Sequence, residues 1–435
     1  MRHKKKTEIF SLLLAAVLLL TVQTTVWGVT VNNGVMGTVQ TNAVPGWPQA
    51  PDTISETAVL IDADTGAVLY DKGMNEIRYP ASITKLMTLL LAVENCSMDE
   101  PVTFTGTGLA GMLEGTNIGR KEGEIMTMEA CLYAMIICSA NEVAKQVAEH
   151  VAGSEAAFVE LMNQRAQAIG CRNTHFVNAS GMPDENHYST AYDFAKILRE
   201  GLKNPLFAKI VGTQTYEAAA TNMRSAESYH THLPVLAQES PWYYEGCIGG
   251  KTGFTLAALN TVAAAATRNG MTYIAVTMRD TELSFNCADL TALWNYGFDS
   301  FEKISVSNGT AVVPKGTKAS DLTIEPKEVG GLKAEAYYYS GHYVGKGLVP
   351  DPTPTPEPTA TPQPAPEEEP TSFAQETEAV GESLTEKEAK PVQGVLASLS
   401  ELSDLAKLLL AIMAGMMVLL IILIIALVVK ERKHK

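Results

Sequence analysis

The sequence predicts an α/β (α+β) fold in which one sheet takes its strands from both ends of the main region. Two observations predict it: strand patterns lie at residues 58–70 and again at 248–278, and helical patterns fill much of the chain between them. A chain of 435 residues with 46% apolar composition can also build a sizeable core. We therefore expect one large domain with appendages.

The two ends of the chain carry targeting patterns. Basic residues at 2–6 precede an apolar run over 9–22, which predicts a secretory signal peptide over residues 1–28. Residues 408–429 contain no charged side chain and are numerous enough to predict a transmembrane helix. A basic tail at 430–435 follows, so the positive-inside rule predicts a cytoplasmic C-terminus and an extracytoplasmic main region.

The main region, residues 53–300, opens with an apolar hairpin over Ala58–Tyr70. A helix follows, and its body, Leu86–Val93, is apolar on nearly all sides and should therefore be buried. Helical periodicity then extends over Met126–Ala152 and, behind a capping serine, over Ser154–Ile169.

The C-terminal part of the main region returns to strand patterns. Three strands and a closing helix are predicted at Ile248–Phe254, Asn260–Thr267, Thr272–Met278 and Ser284–Tyr296. Alternating apolar residues over 301–348 predict a small β-rich appendage. The proline-rich segment over 349–404 cannot bury a core, so we expect a disordered, extended linker there.

Charge and cysteine content exclude some function classes. The formal net charge of −15, with no basic stripe, argues against a nucleic-acid partner, because such binding needs clustered Lys and Arg. The six cysteines include no CxxC pair, so we expect no metal site. We interpret most of these cysteines as small buried apolar residues and leave their pairing open.

Ser82 and Lys85 form the first candidate catalytic motif, S-x-x-K. Residues three apart share one helix face, so the Ser82 hydroxyl and the Lys85 amine can meet as nucleophile and base. Burial and a second nearby cation would favour the neutral amine that a base needs. The pattern alone is weak, because Ser300 and Lys303 show the same spacing.

Ser139 and Asn141 form the second candidate motif, S-x-N, between two helical stretches. The Ser139 hydroxyl could pass a proton between the lysine and a leaving amine, and the Asn141 amide could hold a substrate carbonyl and orient the lysine. Ser284 and Asn286 repeat the same pattern, so a capping role would be the default interpretation of either pair taken alone.

The third candidate motif is the glycine-rich strand segment over residues 249–255. Gly253 allows a substrate backbone to approach the strand closely, while Lys251 and the hydroxyls of Thr252 and Thr255 could bind a carboxylate. A nucleotide phosphate loop is the alternative, but Glu245 stands where that loop requires glycine.

The order of the three motifs, S-x-x-K, S-x-N and K-T-G, is the one used by serine penicillin-recognising enzymes. The segments YPASITKLMT (79–88), HFVNASGMPDENHYSTAYDFA (175–195) and YYEGCIGGKTGFT (243–255) extend the likeness. Over residues 53–300 the chain resembles the D-alanyl-D-alanine carboxypeptidases, the low-molecular-mass penicillin-binding proteins.

This resemblance implies a transpeptidase/β-lactamase-like domain, with an antiparallel sheet flanked by a helical cluster. It implies that Ser82 is acylated by a peptidoglycan stem peptide. It also implies that β-lactam antibiotics are covalent inhibitors that acylate the same serine. Lys85 would be the general base, Ser139 the proton shuttle, and Asn141 the positioner of substrate and lysine. The implied substrate site comprises Asn141, Lys251, Thr252, Gly253, Phe254 and Thr255. The backbone N–H groups of Ser82 and Phe254 would form the oxyanion hole.

No metal or organic cofactor is implied, and the catalytic domain would lie outside a bacterial cell membrane crossed once by the chain. Three positions depart from the family's common pattern: Cys138 replaces a proline, Glu142 an aspartate and Leu259 a glycine. A wall endopeptidase or β-lactamase on the same fold, and a non-catalytic wall-bound scaffold, are the alternatives. A triad built on His175 or His187 is disfavoured because no G-x-S-x-G elbow is present.

Overall fold

The computed structural model describes residues 38–111 and 115–349 of the chain. No helix within these ranges combines the length and the apolar character needed to cross a membrane. The predicted signal peptide, transmembrane helix and basic tail, and all but the first residue of the predicted linker, lie outside the described residues.

The secondary structure of the described residues is numbered here in chain order. The strands are β1 (Thr57–Asp62), β2 (Val68–Lys72), β3 (Pro101–Thr103), β4 (Ile125–Thr127), β5 (Thr215–Ala218), β6 (Glu227–His230), β7 (Cys247–Thr255), β8 (Leu259–Arg268), β9 (Met271–Asp280), β10 (Phe301–Val306), β11 (Gly309–Pro314), β12 (Thr323–Val329), β13 (Leu332–Tyr339) and β14 (His342–Leu348). The α-helices are α1 (Lys85–Asn95), α2 (Gly106–Leu109), α3 (Met128–Ile137), α4 (Asn141–Ala152), α5 (Glu155–Ile169), α6 (Ala191–Gly201), α7 (Pro205–Val211) and α8 (Leu283–Ser300). Short 3-10 helices cover Gln40–Ala43, Ala81–Thr84 and Ala319–Asp321.

The main sheet has the strand order β2-β1-β9-β8-β7 and is antiparallel throughout. Strand β1 pairs with β9, for example Ala58 with Thr277, which joins residues from the two ends of the main region. The predicted sheet drawn from both ends, and the antiparallel α/β fold with flanking helices, are therefore confirmed. Strand β7, with the K-T-G residues, forms one edge of this sheet.

Both faces of the main sheet are covered by other elements, as the burial of β1 shows. All six of its residues are buried, and they alternate between two apolar clusters. Val59 and Ile61 pack with helices α1, α3, α4 and α6, whereas Ala58 and Leu60 pack with α8 and the second sheet. Strands buried on both faces carry near-continuous apolar runs, as this one does.

The predicted helical region over Met126–Ala152 begins two residues later than expected and contains one break, which falls where Ser139 and Asn141 were placed between helical stretches. Its first two residues belong to β4, and the Thr127 hydroxyl caps α3 by accepting a hydrogen bond from the Ala130 N–H at 3.2 Å. Helix α3 then stops before Ser139, whose φ of +59° is incompatible with a continuing right-handed helix. This break sets Ser139 apart from both helices and makes Asn141 the first residue of α4.

A second sheet, of order β10-β11-β14-β13-β12, follows α8 directly. It packs near the β2 edge of the main sheet, where the Trp47 ring lies 4.7 Å from the His342 ring and 5.1 Å from the Phe301 ring. A hydrogen bond of 2.6 Å between His342 Nε2 and the Val68 carbonyl completes the contact. The second sheet therefore lies at the opposite edge of the main sheet from β7.

Candidate active site

Ser82 lies on a tight 3-10 turn whose backbone is held in an unusual conformation. Ala81 has a φ of +51°, in the left-handed region that side chains rarely adopt. Gly181 closes on this turn: a Cβ atom there would lie 1.9 Å from the Ala81 carbonyl oxygen. Only glycine fits at 181, so the loop over 178–182 contacts the nucleophile turn backbone to backbone.

Lys85, the first residue of α1, has a completely buried side chain with three oxygen acceptors. Its Nζ lies 2.8 Å from Ser82 Oγ, 2.7 Å from Asn141 Oδ1 and 2.7 Å from the Ser180 carbonyl oxygen. Three of the four predicted residues of the first two motifs, Ser82, Lys85 and Asn141, thus meet at one amine. This is the nucleophile, base and orienting group arrangement that serine acyl transfer requires.

Burial holds the pKa of the Lys85 amine well below its usual range, and the positive charge of Lys251 lowers it further. The negative charge of Glu142 raises it and so opposes part of the effect. A desolvated lysine beside another cation spends more time neutral. Lys85 can therefore accept the Ser82 proton.

Asn141 is fixed by its neighbours on several sides. Its backbone N–H donates to the Thr116 carbonyl at 2.8 Å, and its side-chain Nδ2 donates to Met182 Sδ at 3.4 Å. Ser139 is buried nearby in sequence, but no hydrogen bond joins its hydroxyl to Ser82 or to another described residue. Among the described residues, Lys85 is therefore hydrogen-bonded to Asn141 and not to Ser139.

Glu142, at a position that the resemblance gives to aspartate, organises the loop before α4. One of its carboxylate oxygens accepts backbone N–H bonds from Ile118 at 2.7 Å and Gly119 at 2.8 Å, and a longer one of 3.4 Å from Arg120. The carboxylate is buried, so these donors compensate its charge. Glu142 thus fixes the loop whose Thr116 carbonyl accepts a hydrogen bond from the Asn141 backbone N–H.

Lys251 is buried on β7, where its Nζ donates to the Thr252 carbonyl at 2.8 Å. Burial lowers the pKa of this amine to about 7. It shares a cleft with Thr252 and His232, and burial together with the Lys251 charge also lowers the pKa of His232. A negative group bound here would restore the lysine charge, which suits a carboxylate site.

Gly253 brings β7 against the nucleophile. A Cβ atom at Gly253 would lie 2.8 Å from the Ser82 backbone nitrogen and 2.6 Å from Thr261 Oγ1. The Thr261 hydroxyl, from β8, donates to the Pro80 carbonyl at 2.8 Å and so ties the nucleophile turn to the sheet. Because Gly253 leaves the Ser82 N–H close to the strand, the geometry suits an oxyanion hole between them.

Three residues noted in the sequence lie at the end of β7 and the start of β8: Phe254, Thr255 and Leu259. The Thr255 hydroxyl accepts the Ala258 N–H at 3.0 Å, so its oxygen shapes the turn between β7 and β8 besides any contact with substrate. The Phe254 side chain is 57% exposed and borders the strand. Leu259 has a φ of +56°, which explains why glycine is favoured at that position.

Asn178 organises the loop over 178–182, a role that was not predicted from the sequence. Its Oδ1 accepts the backbone N–H groups of Ser180, Gly181 and Met182 at 3.2, 2.7 and 3.1 Å. This arrangement aims the Ser180 carbonyl at Lys85. The turn-forming Asn-Ala-Ser-Gly run over 178–181 was the available sequence pattern for it.

His187 is a structural residue, and no triad forms around it. Its Nε2 lies 2.9 Å from Thr84 Oγ1, and its Nδ1 accepts the Val177 N–H at 3.2 Å. Both ring nitrogens are therefore engaged, and burial lowers the pKa of the ring to about 4. His175 Nδ1 is instead hydrogen-bonded to the Asn186 carbonyl oxygen at 2.7 Å.

The repeated motifs do not assemble a second site. Lys303 forms an ion pair with Asp64, and Ser300, the serine of the same S-x-x-K repeat, is the last residue of α8. Asn286 is buried and donates to Thr277 Oγ1 at 3.1 Å. These residues are structural, and Ser300 provides a natural control for Ser82.

All six cysteines are free thiols, and fewer are buried than predicted. Cys131 and Cys287 are buried, whereas the other four are only half-buried: Cys96, Cys138, Cys171 and Cys247. The interpretation of most of them as small buried apolar residues therefore holds for Cys131 and Cys287, whereas the other four pack against the apolar clusters and are only partly buried.

Comparisons with known proteins agree with this geometry. The chain is 34% identical over 253 residues to the D-alanyl-D-alanine carboxypeptidase DacF of Bacillus subtilis, covering 57% of this chain and 63% of that relative. It is 31% identical to DacB2 of Mycobacterium tuberculosis, covering 51% of this chain and 73% of the relative. The chain thus spans a little under two thirds of the first relative.

Solved structures of similar fold include the D-alanyl-D-alanine carboxypeptidase of Mycobacterium tuberculosis H37Rv, with a TM-score of 0.53 and 27% identity, covering 59% of this chain and 95% of that one. The Streptomyces K15 DD-transpeptidase matches with a TM-score of 0.54 and 26% identity, covering 58% and 100%. Residues 45–282 match the family described as D-alanyl-D-alanine carboxypeptidase. Because that match covers more than half of the chain, the protein belongs to the D-alanyl-D-alanine carboxypeptidase family.

Proposed function

We propose that this chain is a serine-type carboxypeptidase that removes the terminal D-alanine from peptidoglycan stem pentapeptides through an acyl-enzyme on Ser82. One observation carries the proposal: the buried Lys85 amine lies within hydrogen-bond distance of both Ser82 Oγ and Asn141 Oδ1. The family and the named relatives support the same activity.

Acylation begins when neutral Lys85 takes the proton of Ser82 Oγ. The oxygen attacks the carbonyl carbon of the penultimate D-alanine, and the backbone N–H groups of Ser82 and Phe254 stabilise the resulting oxyanion. The peptide C–N bond then breaks, and the leaving amine of the terminal D-alanine receives a proton through Ser139. Asn141 holds Lys85 in place and donates to the substrate peptide.

Deacylation completes the cycle. Acylation leaves Lys85 neutral again, so it can take a proton from the water that attacks the ester carbonyl; the C–O bond to Ser82 then breaks, and Lys85 returns that proton to Ser82. Lys251, with Thr252 and Thr255, binds the terminal carboxylate before acylation. Binding of this anion favours charged Lys251, and the Lys251 charge in turn keeps the pKa of Lys85 low.

The same nucleophile would be acylated by β-lactam antibiotics, which act as covalent inhibitors. We also propose that the catalytic region works outside the cell, exported by the 1–28 signal peptide and held at the membrane by the 408–429 helix. The proline-rich segment over 349–404 would separate the enzyme from the bilayer. These targeting proposals rest on the sequence pattern alone.

Cleavage of cross-linked wall peptides is the second candidate activity. Relatives from Escherichia coli and Pseudomonas aeruginosa, 29% and 31% identical, are named D-alanyl-D-alanine endopeptidases. A β-lactamase would share acylation but hydrolyse the penicilloyl ester rapidly. A scaffold without turnover is disfavoured, because the Ser82, Lys85 and Asn141 contacts are intact.

The purified full-length chain should be incubated separately with a stem pentapeptide, a cross-linked peptide dimer and a penicillin. We expect release of free D-alanine from the pentapeptide, with Ser82→Ala inactive and Ser300→Ala equal to the wild type. Faster cleavage of the dimer than of the pentapeptide would favour the endopeptidase. Rapid, repeated penicillin hydrolysis would favour the β-lactamase.

A further inference from the structure

Three side chains with metal-binding atoms meet at a second place in the fold: Cys96, Glu100 and His150. One ligand atom from each lies within 4.8 Å of the other two. Cys96 follows α1, Glu100 directly precedes β3, and His150 lies in the last turn of α4. Packing of the two helices therefore brings together residues that are more than fifty positions apart.

The Glu100 carboxylate lacks the partners that a half-buried anion normally has. One of its oxygens lies 3.6 Å from His150 Nε2, and this is its one ion pair in the described part of the chain. The other oxygen, Oε1, is buried and has no N–H or O–H donor among the described residues; the one donor that faces this carboxylate there is the Cys96 thiol, which is a weak one. A buried acceptor with only a weak donor is costly, and a cation held between the thiol and the imidazole would remove that cost.

We propose that Cys96, Glu100 and His150 form a binding site for Zn²⁺. Sulfur, imidazole nitrogen and carboxylate oxygen are the ligand atoms that zinc takes in proteins, with water as a fourth ligand where three side chains bind. All three residues are half-exposed, so a fourth position can open to solvent. On binding, the thiol proton passes to the solvent and the thiolate binds the metal.

The site would link the C-terminal ends of α1 and α4, two helices whose N-terminal ends carry residues of the candidate active site. Helix α1 begins at Lys85 and α4 begins at Asn141, the residues that are hydrogen-bonded to each other. Their 11 and 12 residues place the proposed site roughly 15 Å from that contact, at about 1.5 Å per residue. Zinc would thus be a structural link that stabilises the packing of α1 on α4. This proposal does not rest on the proposed activity.

The test uses the purified full-length chain, without a polyhistidine tag, titrated with Zn²⁺ in competition with a chelating dye. Parallel samples of Cys96→Ser, His150→Gln and Glu100→Gln test the ligands, and Cys171→Ser is a control at another half-buried thiol. Thermal unfolding with and without Zn²⁺ follows the stabilisation. Titration with Co²⁺ reports a thiolate-to-cobalt absorption band if Cys96 is a ligand.

We expect one equivalent of Zn²⁺, a higher melting temperature with zinc, and the cobalt band. Affinity should fall by at least about 100-fold in Cys96→Ser and His150→Gln, more than the loss of a residue that only orients a ligand, and stay unchanged in Cys171→Ser. No zinc uptake by the wild type, or equal uptake by the ligand variants, would overturn the proposal. Should the variants fail to fold, absence of the cobalt band in the wild type would also overturn it.

Discussion

Gly253→Ala tests how closely β7 must approach the nucleophile. The new Cβ atom would lie 2.8 Å from the Ser82 backbone nitrogen, whereas ordinary contact begins at 3.4 Å. Strand and nucleophile turn must therefore separate by 0.6 Å, the difference between these distances. The φ of Gly253 is not positive, so alanine suits its backbone conformation and the effect comes from the new contacts, which include Thr261 Oγ1 at 2.6 Å.

That displacement moves the Phe254 and Ser82 N–H groups apart where the oxyanion must fit between them. Loss of one oxyanion donor lowers kcat by about 10²- to 10³-fold, so we expect acylation by fluorescent penicillin to slow by about 100-fold. Overpacking should cost about 1–3 kcal/mol of stability, leaving the protein folded. The assay is the acylation rate, with a melting curve on the same sample. A variant that acylates within about threefold of the wild type would refute this account of the oxyanion hole.

Three further predictions concern Asn141, Lys251 and His187. Asn141→Ala removes an acceptor of Lys85 worth about 1.5–3 kcal/mol, so acylation should slow by about 10- to 100-fold; an unchanged rate would exclude the positioning role. Because Lys251 must be protonated to bind a carboxylate and burial lowers its pKa to about 7, kcat/KM should fall as pH rises through 7, and a substrate amidated at its C-terminus should lack this decline. Burial lowers the pKa of His187 to about 4 in the folded protein, so its contribution to stability is complete above pH 6.5 and is lost as pH falls through 4. Between pH 6.5 and 4, the free energy of unfolding measured in urea should fall by about 3 kcal/mol less in His187→Asn than in the wild type. An equal fall in both proteins would contradict the lowered pKa of His187.

Local patterns in the sequence predicted the main sheet and the motif residues. The strands at 248–278 and the helix around Leu86–Val93 are nearly continuous apolar runs, and the S-x-x-K spacing follows from one helical turn. The small two-stranded sheet of β3 and β4 was missed, because three-residue strands have too little periodicity to recognise. The sequence indicated helical stretches on both sides of Ser139 and Asn141, but it could not show the left-handed backbone of Ser139 that separates them.

What the sequence could not predict depends on contacts between distant segments. Gly181 is required by its approach to Ala81, one hundred residues earlier, and no local pattern encodes that. The cysteine spacing argued against a metal site, yet the packing of α1 and α4 brings Cys96 and His150 together. Pattern searches recognise ligands that are close in sequence, whereas these ligands are close only in the folded chain.

The most direct test of the account is to trap the acyl-enzyme. The full-length chain should be labelled with fluorescent penicillin, digested and analysed by mass spectrometry, beside Ser82→Ala and the spacing control Ser300→Ala, with D-alanine release measured on the same samples. We expect one labelled peptide, modified at Ser82, with labelling and release lost in Ser82→Ala and retained in Ser300→Ala. Label on another residue, or D-alanine release that survives in Ser82→Ala, would contradict an acyl-enzyme on Ser82.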